Sequence, residues 1–145
     1  MQLKSLVALL LASLVAGESL TYDPTFDEAD NSLSTVACSN GPHGLLTRGY
    51  TTFGSLPNFP CIGASDAIEG WNSANCGSCW QLTYTPPVES GAKLRSIYML
   101  VIDKTSSGYN TGVTAMNNLT NGHAKELGRV EVTATKVDPA KCMMT

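Results

Sequence analysis

Charge is scarce in this chain. Only 14% of its 145 residues are Asp, Glu, Lys or Arg, and the balance of 9 basic against 12 acidic groups gives a formal charge of −3. A nucleic-acid partner or an anionic membrane surface demands a basic face, so both are disfavoured and an uncharged polymer fits better. Histidine is limited to His43 and His123, both far in sequence from the single Cys-x-x-C, so a tetrahedral zinc site lacks its ligands. No G-x-S-x-G elbow is present. A copper-dependent polysaccharide oxidase would need a histidine at the mature N-terminus, where Glu18 or Ser19 stands. Internal repeats and low-complexity tails are absent, and past residue 17 no apolar run is long enough to cross a bilayer.

What is there begins at the N-terminus. Lys4 precedes an apolar run from Leu6 to Ala16, broken only by Ser13, with Val15 and Gly17 at the positions a signal peptidase reads. This predicts an export signal over residues 1–17, too short to span a membrane and without the polar face of a core helix. The mature segment, 18–145, is about 128 residues, enough for one domain with its own core. The expected product is an extracellular, soluble monomer that needs no cofactor or metal.

Five cysteines follow the signal: Cys38, Cys61, Cys76, Cys79 and Cys142. In an exported chain they read as structural disulfides rather than redox or metal groups. Sequence alone leaves the pairing open. A Cys76–Cys79 bridge is the redox alternative; sending each of that pair to a distant partner, as in Cys38–Cys76 with Cys79–Cys142, closes two large adjoining loops. Cys61 is then the odd residue, packed as a small hydrophobe or, alternatively, an exposed thiol that dimerises the protein.

Strand patterns dominate. Leu33–Ala37, Thr47–Phe53, Trp80–Thr85, Ile97–Ile102 and Gly128–Val137 read as strands, the fourth an unbroken apolar run consistent with burial on both faces. Ala64–Ile68 reads as one helical turn. Val113, Met116 and Leu119 recur at helical spacing, and Asn121-Gly122 stops that helix. Short strands separated by frequent turns predict a closed or nearly closed all-β barrel.

Several blocks then resemble the cerato-platanin family: Cys38-Ser39-Asn40-Gly41, Phe59-Pro60, Gly70-Trp71-Asn72-Ser73 followed by Cys76-Gly77-Ser78-Cys79-Trp80, Val101-Ile102-Asp103, Gly108-Tyr109-Asn110 and Ala115-Met116-Asn117-Asn118-Leu119-Thr120. The match runs in order through the whole mature chain. The resemblance implies a mainly β, six-stranded double-psi β-barrel with short helices, related to the first domain of expansins and to barwin. It implies the pairing Cys38–Cys76 and Cys79–Cys142. It also implies a secreted fungal protein that binds chitin (N-acetylglucosamine oligomers) or glucan surfaces, loosens wall material without hydrolysing it, and provokes plant defence through a plant receptor. Departures are Cys61, where the family commonly has tyrosine, an altered Thr47-Arg48-Gly49-Tyr50 stretch, Thr114 where some members have aspartate, and a longer loop from Pro86 to Arg95.

Asp103 ends an apolar strand, so its carboxylate is the expected centre of a shallow sugar-binding groove; the plainer reading is a cap on the Lys104-Thr105 turn. Tyr22, Asp23, Arg48, Asn110 and Asn117 match the family pattern and are the other carbohydrate-binding candidates, each otherwise a turn or capping residue. Trp71 and Trp80 could stack on sugars, with core packing the expectation for Trp80. Asn118-Leu119-Thr120 is an acceptor sequon, placing a glycan on Asn118. Two rival functions stand beside the binding one. A weak hydrolase would need a second carboxyl, Asp23 or Glu69, beside Asp103. A surface-active, self-assembling coat protein would need apolar surface patches.

Overall fold

The computed structural model describes residues 17–145; the expected export signal falls, but for its last residue, outside the described residues. Six strands, β1 (Glu18–Tyr22), β2 (Ile62–Ser65), β3 (Cys79–Tyr84), β4 (Arg95–Lys104), β5 (Tyr109–Thr111) and β6 (Arg129–Val137), close a barrel in the order β1-β5-β2-β4-β3-β6. β1 pairs β5 in parallel and β2 pairs β4 in parallel, while the other four pairings are antiparallel. Closure leaves no free sheet edge. This is the six-stranded double-psi architecture that the resemblance implied.

β4 lies in the barrel wall between β2 and β3. Met99, Leu100, Val101 and Ile102 are fully buried, as an unbroken apolar strand with a covering layer on each side must be. On β1 and β6 the alternation is clear: Leu20 and its partner Val130 are buried, while the neighbouring pair Ser19 and Glu131 and the pair Thr21 and Arg129 face outward. Tyr109 is buried in β5 and meets Trp80 at 5.9 Å between ring centroids. Burial pushes the Tyr109 phenol up to about 12, with the charges of Glu18 and Asp66 adding and a Ser65 hydrogen bond opposing. The phenol therefore stays neutral at physiological pH and serves as a packing group. Trp80 is half-buried and donates its indole N–H to the Ser78 hydroxyl at 2.9 Å. Core packing, the expected role of Trp80, is what the structure shows.

The helix read at Val113–Leu119 is α1 (Val113–Thr120), with Met116 and Leu119 fully buried. Asn121 takes the left-handed conformation at φ 55° and ends it. A short α2 (Ala124–Leu127) follows. α1 starts without a cap of its own: Gly112 has no side chain to offer. Asp27, from the 3-10 turn Pro24–Asp27, fills the position from outside, accepting the Val113 amide at 2.7 Å and the Thr114 amide at 3.2 Å. A Cβ on Gly112 would stand 2.7 Å from the Asp27 carboxylate, so glycine makes room for this cap. Asp27→Ala strips two N-terminal helix amides of their acceptor and is expected to lower stability by about 1–2 kcal/mol, measured as a shift in urea midpoint.

Three segments differ from the sequence expectation. Leu33–Thr35 is a 3-10 turn, not a strand, because the Ser32 hydroxyl accepts the Ser34 amide and draws the chain into a cap. Thr47–Phe53 holds no strand beyond an isolated bridge between Ser32 and Thr52. There the Ser55 hydroxyl accepts the amides of Thr51 and Thr52, and Thr47 donates its hydroxyl to the Gly41 carbonyl. Local side-chain-to-backbone bonds thus outcompete the β-propensity of threonine. Ala64–Ile68 is not a helical turn: Ala64 and Ser65 end β2, held by β4 on one side and β5 on the other. Gly63 is required there, since a side chain would run into the Asn110 carbonyl of the neighbouring strand.

Both expected disulfides form, Cys38–Cys76 and Cys79–Cys142. Cys61 is a free, half-buried thiol beside the core, and burial raises its pKa, which lowers its reactivity.

Candidate functional site

Asp103 is half-buried near the end of β4. One carboxylate oxygen, Oδ1, accepts two backbone amides, Ala37 at 2.9 Å and Lys104 at 2.8 Å. The first pins the segment before Cys38 onto the barrel wall, and the Cys38 amide adds a bond to the Ile102 carbonyl at 3.1 Å. Asp103 therefore holds the amide of its own neighbour at the strand end and tethers a distant loop; no turn forms at Lys104-Thr105, since Lys104 still belongs to β4 and the Thr105 amide bonds the Ser65 carbonyl. Its second oxygen, Oδ2, has no hydrogen-bond partner among the described residues.

The tethered loop carries the other polar groups. Arg48 donates through Nη2 to the carbonyls of Cys76 at 3.0 Å and His43 at 3.2 Å. Its guanidinium lies over Gly77, where any side chain would strike Nη1. Trp71 is 62% exposed, unusual for so large an apolar group. Its indole N–H donates to the Asn40 side chain at 2.6 Å. Beneath it sits Gly41, at φ 85°, where a Cβ would come within 3.0 Å of the indole and 2.8 Å of Asn72. Asn72 itself adopts φ 59° and accepts the His43 amide at 2.8 Å. The indole is thus held at the surface by a fixed frame. Asn40, bonded to Trp71, stands three positions after Ala37, bonded to Asp103, so the two anchors lie within about 10 Å of chain.

The remaining candidates are distributed more widely. In register, Asp103 opposes Ala64, Ala64 opposes Asn110, and Asn110 opposes Thr21. Asn110 donates its side-chain amide to the Thr21 hydroxyl at 2.8 Å on the outer face. In a closed ring of six, β1 and β4 stand three places apart in either direction, so they are opposite walls. Tyr22 and Asp23, at the end of β1, therefore lie across the barrel from the strand of Asp103, and Asp23 caps its own turn by accepting the Thr25 amide at 2.9 Å. Asn117 serves as the cap of α2, accepting the Ala124 amide at 2.9 Å. Its neighbour Asn118 is exposed, and the Asn118 carbonyl accepts from Arg95 at 2.9 Å. Arg95 starts β4, eight residues or about 26 Å of strand away from Asp103. The structure brings Asp103 and Arg48 into one loop cluster, together with Trp71; it places Asn110 two strands away and keeps Tyr22, Asp23 and Asn117 elsewhere.

Asn40, His43 and Asn72 hold the indole and were not singled out from the sequence. The available signal was Gly70-Trp71-Asn72, since asparagine is the residue after glycine most tolerant of the left-handed region. Among the described residues no group of three His, Cys, Asp or Glu side chains is arranged to hold a metal ion, and no helix is long and apolar enough to cross a membrane.

Comparison with known proteins adds an independent line. A relative from Arthroderma benhamiae, named as an Allergen Asp f 15 homolog, is 48% identical over 94% of this chain, which spans only 64% of that relative's own length. The crystal structure of cerato-platanin 1 from M. perniciosa superposes with a TM-score of 0.82 at 47% identity, covering 88% of this chain and 99% of that one. The solution structure of the fungal elicitor Cerato-Platanin superposes with a TM-score of 0.74 at 38% identity, covering 86% and 96%. The family model described as Cerato-platanin matches residues 18–144. With nearly all of the described residues matched and the barrel shared, the chain belongs to the cerato-platanin family.

Proposed function

We propose that this chain is an exported, non-hydrolytic carbohydrate-binding protein. It takes N-acetylglucosamine oligomers or glucan surfaces on the loop cluster around Trp71, Arg48 and Asp103. The observation that carries this reading is the exposed indole of Trp71, held over Gly41 by Asn40. A pyranose ring offers a face of axial C–H groups that packs on an aromatic surface, while its hydroxyls seek charged and planar polar partners. The free Oδ2 of Asp103 and the guanidinium of Arg48 supply those. Competing with hydrogen bonds between polymer chains would loosen wall material without breaking a bond. An elicitor role is carried over from the relative known as the fungal elicitor Cerato-Platanin, and a plant receptor would be its detector.

A hydrolytic mechanism requires a second carboxyl at about 5–9.5 Å from the first. Asp23 follows the strand opposite β4 and caps its own turn, and one Glu69 oxygen accepts the Ser73 hydroxyl at 2.9 Å; these structural engagements favour the non-hydrolytic reading. Titration of chitin oligomers while following backbone amide shifts tests the binding reading. Trp71→Ala, at an exposed position, should leave the spectrum of the free protein intact and weaken binding by about tenfold or more. Undiminished affinity in that variant would remove Trp71 from the site. Steady release of reducing sugar from cellulose or chitin would defeat the non-hydrolytic reading.

A further inference from the structure

The end of the barrel remote from Asp103 carries a concavity that the sugar reading does not use. It is an open cavity of about 250 Å³ between the β3–β4 loop and the α1–α2 corner. Pro86, Pro87, Leu119 and Leu127 form apolar walls. Lys93 and Arg95 stand in its lining with Glu126 the lone carboxylate, a cationic surplus on a chain whose overall charge is −3.

Arg95 is held in place: its Nε donates to the Asn118 carbonyl at 2.9 Å, and its terminal amino groups have no protein partner among the described residues. A guanidinium fixed at one nitrogen and open at the others is preorganised for a carboxylate, which it grips with two parallel bonds. The volume sets the size of what accompanies that carboxylate. At about 30 Å³ per water-sized group, the cavity holds roughly eight heavy atoms, enough for the carbons of an eight-carbon acid with the two carboxylate oxygens at its open mouth.

We propose that this cavity binds a small amphipathic carboxylate, a fatty acid of about eight carbons, with its tail against Leu119, Leu127 and the two prolines and its head on Arg95 and Lys93. The site is independent of the sugar surface, lying at the other end of β4, so either can fail without the other.

The test is a titration of the oxidised protein with sodium octanoate, read by backbone amide shifts. Saturable shifts are expected at Arg95, Leu119 and Leu127, with none at Trp71 or Asp103. Butyrate should bind more weakly by on the order of a hundredfold, from four fewer buried methylenes. The double variant Lys93→Gln with Arg95→Gln, both at exposed positions, should weaken octanoate by about fivefold or more. Octanol, which has the tail without the charge, should bind the unmodified protein more weakly by a similar factor. The proposal is overturned if no saturable shift occurs below the micellar range of octanoate, if octanol binds as well as octanoate, or if the folded double variant binds unchanged.

Discussion

Replacing Cys79 and Cys142 together by alanine is expected to lower stability by about 4 kcal/mol. The bridge spans a sequence separation of 63, and closing so long a loop in the unfolded chain carries a chain-entropy term of that size. Cys38–Cys76, with a separation of 38, is worth nearly as much. Either loss is comparable to the net stability of a small domain. The two bridges also differ in what they hold. Cys79–Cys142 ties the start of β3 to the C-terminal 3-10 turn Pro139–Cys142, whereas Cys38–Cys76 ties the two loops that frame Trp71. Removing the first should lower the thermal midpoint by roughly 10–20 °C and leave sugar affinity of the folded fraction unchanged. Removing the second should lower both midpoint and affinity, because the frame around the indole loosens. Thermal unfolding and amide-shift titration on the two alanine pairs check this; equal loss of affinity from both pairs would show that the bridges act only through global stability.

Asp103→Ala is expected to cost about 2–3 kcal/mol, more than an exposed strand-end aspartate would. The Ala37 and Lys104 amides lose a shared, charge-assisted acceptor, and the half-buried site gives water only partial access to replace it. Asp103→Asn keeps an acceptor oxygen at the same place and should stay within about 1 kcal/mol of the unmodified protein in urea midpoint. The same pair of variants separates tether from binding site. Asparagine preserves the two amide bonds made by Oδ1 but replaces the free carboxylate oxygen with an uncharged amide. If Oδ2 meets the sugar, Asp103→Asn folds normally and binds chitin oligomers several-fold more weakly. A variant that folds and binds as before would reduce Asp103 to an anchor for the loop before Cys38.

Much of the barrel was legible in the chain itself. The run Ile97–Ile102 announced a buried strand, and Met99–Ile102 are covered on both faces while Tyr98 stays exposed; the alternation at Trp80–Thr85 announced a strand with one wet face, because side-chain period reports directly on which face is dry, and Gly128–Val137 read as a last long strand. The spacing of Val113, Met116 and Leu119 and the Asn121-Gly122 stop delimited α1 for the same reason. What periodicity could not report was β2. Ile62-Gly63-Ala64-Ser65 is too short and too small-sided to show a period, and it is a strand only because β4 and β5 offer it hydrogen bonds on both edges. The threonine-rich stretch near Thr51 failed in the opposite sense: its strand-like composition yielded to a nearby serine hydroxyl.

The candidate site divides along the same line. Residue chemistry by itself determined that an aspartate ends the apolar strand and that the cysteines are structural. Only the tertiary structure decided which polar groups share a surface. Asp103 meets Ala37 across 66 positions of sequence and Trp71 meets Asn40 across 31, while Tyr22 and Asp23 fall on the opposite wall. Local patterns encode the faces of an element, whereas neighbours across a closed barrel are set by strand order, and strand order is fixed by the balance of long-range pairing over the whole chain.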